Sequence, residues 1–139
     1  MTTYTLDIET NYEFDLIGIS SHEKNYRLVW SLNKCMGWNL RRIEDISMNQ
    51  RGGDSLHAQF RFFHPTEHSI ITLIDNKTPV GFFLPDVQHF DYVLKIDDDQ
   101  FGCDDAFFKK LRNNPFIITA HPLDVDKLKS KQNLLYEYR

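Results

Sequence analysis

Between His57 and Ile96 the chain breaks into short bursts of alternating apolar and polar residues, separated by connections of only a few residues. Ala58, Phe60 and Phe62 alternate against His57, Gln59, Arg61 and Phe63. The stretch His64-Pro65-Thr66-Glu67-His68 reads as a turn, and Ile70 to Ile74 as the returning strand. Asp75-Asn76-Lys77-Thr78 reads as the next turn, with Val80 to Leu84 as another strand. Phe90, Tyr92, Leu94 and Ile96 then share one face of a further strand, with Asp91, Val93 and Lys95 on the other. A parallel crossover needs a dozen or more residues, so these connections specify antiparallel neighbours, a meander of about four strands.

A helix is expected over 21–36. Ser20 and Glu23 have capping-box spacing, and Gly37 supplies the left-handed stop. Leu28, Leu32, Cys35 and Met36 form its apolar stripe, which Tyr26, Val29 and Trp30 widen, so burial on more than one side is expected. Tyr4, Leu6 and Ile8 have strand period. Trp38, Leu40 and Ile43 suggest an extended segment, and Asn49 to Asp54, with Gly52 and Gly53, a loop. Asp104 or Asp105 can cap a short helix carrying Phe107, Phe108 and Leu111, which Pro115 ends. Phe116 to Ala120 reads as a strand, Asp124 to Lys131 as one or two helical turns, and Leu134 to Tyr136 as a terminal anchor. The expected fold is α+β, one globular domain over 1–139, with a mainly antiparallel sheet covered by one long and one or two short helices.

Composition narrows the functional classes. With 139 residues, 41% of them hydrophobic, and 11 Phe, 6 Tyr and 2 Trp, there is material for a substantial core. Sixteen Lys and Arg face twenty Asp and Glu, a formal charge of −4, which argues against a duplex-DNA binder. The N-terminal stretch lacks the basic and apolar regions of a secretory signal, and no run is long enough to span a bilayer. Cys35 and Cys103 read as isolated thiols of a reducing compartment. A soluble cytoplasmic protein without membrane contact is expected.

Three constellations were weighed for chemistry. His64, Glu67 and His68 fit His-x-x-Glu-His, but Pro65 and the flanking strands place them in a turn, where the imidazoles do not share a helical face. Asp97, Asp99 and Gly102 fall at calcium-loop positions 1, 3 and 6, yet Phe101 and Phe108 occupy positions 5 and 12, and no helix precedes. Gln59 to Phe63 interleaves Arg61 with aromatics, but Phe60 and Phe62 share a face with Ala58 and read as core rather than as a base-stacking platform. No metal or cofactor is expected.

The segment Leu84-Pro85-Asp86-Val87-Gln88-His89-Phe90-Asp91-Tyr92 resembles the signature of the IPExxxVDY family of small bacterial proteins. Pro85, Asp91 and Tyr92 match; Leu84, Asp86 and Phe90 stand for Ile, Glu and Val. Further resemblance lies in Leu16-Ile17-Gly18-Ile19-Ser20-Ser21, Tyr26-Arg27-Leu28, Leu32-Asn33-Lys34 and Leu128-Lys129-Ser130-Lys131. The family carries no assigned activity, so the resemblance implies a class and not a function. The signature also has a structural reading: Pro85 stops a strand, Asp86 caps a turn, and Phe90 and Tyr92 open the next core face.

The leading expectation is a non-catalytic domain that binds another protein or itself. The alternatives are a small-molecule binder or enzyme with a pocket around Asp86, Asp91, Tyr92 and Lys95, and an RNA-binding module on the 57–74 hairpin, with nucleic acid disfavoured by the acidic balance.

Overall fold

The computed structural model describes residues 14–66, 68–97 and 103–138; the expected strand at Tyr4 to Ile8 and most of the acidic loop after Asp97 lie outside them. Among the described residues six strands, β1 (Asp15–Ser20), β2 (Arg41–Gln50), β3 (Gly53–Phe63), β4 (Ile70–Asp75), β5 (Tyr92–Asp97) and β6 (Thr119–Leu123), form one sheet with two helices, α1 (Asn25–Met36) and α2 (Asp105–Arg112). The order across the sheet is β2-β3-β4-β5-β1-β6, with every neighbour antiparallel. A four-strand meander is present as β2 to β5; β3, β4 and β5 are strands of the expected one, and its fourth is β2 rather than Val80 to Leu84. Beyond it, β1 inserts between β5 and β6, and the chain ends of the sheet meet there.

The α+β class stands, but strands dominate and the long helix is shorter than expected. Residues 21–24 are not helical: α1 has 12 residues, with Lys24 as its N-cap and no side-chain cap. Ser20 is the last residue of β1, paired with Thr119, so its backbone is committed to the sheet. Its hydroxyl turns to the His89 carbonyl at 3.3 Å, and the Glu23 carboxylate pairs with Arg27 at 2.8 Å instead of closing a capping box. The stop is as expected: Gly37 adopts φ 73° and donates its N–H to the Asn33 carbonyl. Likewise Asp104 caps α2, its carboxylate accepting the Phe107 N–H at 2.9 Å.

Val80 to Leu84 is not a strand. Only Lys77 and Phe82 form an isolated bridge, and the Thr78 hydroxyl folds the intervening residues into a turn. The cause is Asn76, fully buried, whose amide donates to the Val87 and Phe90 carbonyls at 3.0 and 2.9 Å and accepts from the Leu84 N–H at 2.7 Å. One side chain thus gathers 76–90 into a compact loop. The 116–120 strand is displaced as well, starting at Thr119, and short 3-10 turns at Val125–Lys127 and Lys131–Tyr138 close the chain.

Both faces of the sheet are covered. On one, Ile17, Ile19, Phe60, Leu73, Tyr92 and Leu94 meet Leu28 and Leu32 of α1 and Phe107 and Leu111 of α2. On the other, Leu16, Met48, Ile74 and Val93 meet Phe83, Leu84 and Phe90 of the loop and Leu128 and Leu134 of the tail. That second layer explains why β5 is buried at five consecutive positions rather than alternately.

Candidate functional site

The four residues singled out by sequence do not form one site. Tyr92 and Lys95 are three apart on β5 and so project from opposite faces of the sheet. Tyr92 lies under α1, its hydroxyl donating to the Glu23 carbonyl at 2.6 Å. Lys95, 4% exposed, sits on the other face, with its ammonium 4.7 Å from the Phe14 ring centroid and 3.4 Å from the Asp97 carboxylate. Asp86 is the middle residue of the 3-10 turn Pro85–Val87 and accepts from the Lys129 N–H and, at 2.7 Å, from the Ser130 hydroxyl. The Ser130 bond leads the interactions that hold its carboxyl below the ordinary range. Asp91 precedes β5; its carboxylate accepts the Ser21 N–H at 2.9 Å and pairs with Lys77 at 3.2 Å.

Asp91 and Tyr92 are brought together, in a cleft of about 450 Å³ at the start of α1 that Ser21, Asn25, Asp75 and Lys77 also line. Two of its groups are strongly perturbed, Asp75 and Tyr92. Burial pushes the Asp75 carboxyl up to about 6, against the opposing bond from the Asn25 amide, 3.0 Å from Oδ2. Oδ1 is buried with no hydrogen-bond partner. Burial also raises the Tyr92 phenol, reinforced by the charges of Asp75, Asp91 and Glu23, so it is a neutral donor at physiological pH. Beneath the cleft, His57 is fully buried, and burial lowers its pKa. Nδ1 lies 2.8 Å from the Asp75 carbonyl and Nε2 2.7 Å from the Ser55 hydroxyl, which fixes the neutral Nδ1–H tautomer. Asp86, Asp91 and Tyr92 of the signature thus each hold a remote segment.

Chemistry elsewhere is sparse. His64 and His68 lie beyond the end of β3 rather than on a helix, and among the described residues no three His, Cys, Asp or Glu side chains converge for a metal. Cys35 is an exposed free thiol. No helix among the described residues is long and apolar enough to cross a membrane. On β3, Ala58 and Phe60 are core, as their alternation specifies.

What sequence reasoning missed lies on the outer side of α1. Tyr26 and Trp30, expected to widen a buried stripe, are 61% and 60% exposed. Helix α1 buries Leu28, Val29, Ser31 and Leu32 on one side only, with the Ser31 hydroxyl donating to Asn114 at 2.9 Å. The signal was in the spacing: Trp30 is two residues from both Leu28 and Leu32, hence on the far side of a helix turning about 100° per residue. Tyr26, Arg27 and Trp30 line a groove of about 490 Å³ with Phe116, from the segment leading into β6. Cations flank the rings: the Arg27 guanidinium carbon is 5.4 Å from the Phe116 centroid, and the Lys34 ammonium 5.1 Å from that of Trp30. Ile118, two residues beyond Phe116, is 55% exposed.

Comparison with family models and with curated proteins found no match for the chain.

Proposed function

We propose that the protein is a non-catalytic binding module that docks another protein on the outer face of α1. The observation that carries this reading is the pairing of Tyr26 and Trp30, one turn apart and each about 60% exposed, over a groove floored by Phe116. Exposed aromatics with Arg are the composition of interface hot spots, and a soluble monomer gains nothing by leaving two such rings in water. The opposite observation holds for the groups able to do chemistry: Asp86, Asp91 and Tyr92 are engaged with Ser130, Ser21 and Glu23. The occupant is a different protein rather than a second copy, because the rim of the groove is cationic and a two-fold contact would oppose like charges.

A cytoplasmic location and membership of the IPExxxVDY family belong to the same proposal. What supports membership is that the segments carrying the resemblance meet in space: Asp86 holds Lys129 and Ser130, and Asp91 holds Ser21.

A photo-crosslinking side chain at position 30, with the exposed Val80 as control position, tests the docking face in living cells. A discrete heterologous adduct from position 30, absent from position 80 and lost on Tyr26→Ser, is expected. Equal labelling from both positions, or an adduct only with a second copy of this chain, contradicts the reading.

A further inference from the structure

We infer that the groove on α1 takes an acidic segment of its partner, carrying one apolar anchor residue. This rests on the docking reading and adds the chemistry of the occupant. The groove offers ring faces of Tyr26, Trp30 and Phe116 to an apolar side chain, in a volume within the range of ligand pockets, roughly 300–1,000 Å³. Arg27 lines it and Lys34 sits over the Trp30 ring, while Lys24 lines the neighbouring cleft. Lys24, Arg27 and Lys34 lie on or beside α1, and over 21–36 they meet a single acid, Glu23, already bonded to Arg27. The chain as a whole carries −4, so this face is a local cationic patch on an acidic molecule.

That contrast selects the occupant. Carboxylates are drawn to this face, and its exposed rings distinguish it from the cationic last turn of α2. Both Arg27 and Lys34 sit over rings, so their side chains are ordered before the partner arrives. A second copy would bring Arg27 and Lys34 against their own equivalents. A nucleic-acid strand needs a longer run of phosphate contacts than Arg27 and Lys34 supply, on a molecule of formal charge −4.

Fluorescence anisotropy with the full chain and three labelled probes tests this. The first is a peptide with one Leu flanked on each side by glutamates; the second replaces the glutamates with Gln; the third is oligouridylate. The glutamate peptide is expected to bind at least tenfold tighter than the Gln peptide, with the margin shrinking as salt rises. Arg27→Gln with Lys34→Gln should erase the margin, and Trp30→Ser should abolish binding of both peptides. Equal binding of the Gln and glutamate peptides overturns the acidic inference while leaving the docking face intact. Oligouridylate binding as tightly as the glutamate peptide, or no peptide binding alongside a position-30 crosslink, also overturns it. A dimer broken by Trp30→Ser overturns both readings.

Discussion

The ring of Phe90 lies where a side chain at position 18 would have to go: a Cβ built on Gly18 meets its ring carbons at 2.4–2.6 Å. Gly18→Ala is therefore expected to cost about 1–3 kcal/mol in urea unfolding, and less in a Phe90→Leu background, where the ring is gone. Additivity of the two substitutions would refute the contact. Asp75 makes a second residue-level prediction. Its carboxyl is raised from 3.8 to about 6 in the folded chain. Below about pH 4 it is protonated in both states and its burial carries no ionic penalty. As pH rises through 6 the folded chain must hold a buried charge, and stability falls. Two pK units correspond to about 3 kcal/mol, which partial solvent access reduces to about 1–2 kcal/mol. Asp75→Asn keeps an acceptor for Asn25 and should flatten the decline between pH 4 and 7; an unchanged pH profile would show that Asp75 is not its source. None of this was legible in sequence, where Asp75 was a turn residue and Gly18 one letter in a matched segment. Close approach and burial depend on what the fold brings alongside.

At the scale of elements, legibility followed locality. The stop of α1 at Gly37, the Asp104 cap and the strands β3, β4 and β5 are set by residues within a turn or a pleat of one another, and sequence located them. The start of α1 failed because Ser20 is held by β6, ninety-nine positions from its partner Thr119. The loop 76–90 failed because one buried amide, Asn76, outweighs the strand-like pattern of Val80 to Leu84. The missing cap yields a prediction: Lys24 already has the extended N-cap backbone but offers no acceptor. Lys24→Ser should stabilise the fold by about 0.5–1 kcal/mol, read as a raised midpoint in thermal unfolding; a lowered midpoint would mean that Lys24 has a structural task of its own.

Over the whole molecule, polar groups divide by position. Several tie distant segments together: Asp86 at the surface to the tail, Asp91 and Tyr92 to the corner before α1, and Ser31 to the residues after α2, while Asn76 gathers its own loop. The aromatics of α1 face outward and join nothing across the core. In the 85–92 signature, Asp86, Asp91 and Tyr92 are each bonded to a segment remote in sequence. Tyr26 and Trp30 do not widen a buried stripe as expected, because apolar composition alone ignores the angle of each residue around the helix.

Urea unfolding of two double variants tests this division most directly. Asp91→Asn with Tyr92→Phe removes the ion pair to Lys77 and the bond to the Glu23 carbonyl, and is expected to lose about 2 kcal/mol. Tyr26→Ser with Trp30→Ser removes far more apolar surface, yet is expected to stay within about 0.5 kcal/mol of the parent, as exposed positions do. The reverse order, with the aromatic pair costing more than the signature pair, would mean that the rings on α1 hold the fold and that Asp91 and Tyr92 are the groups left free to act.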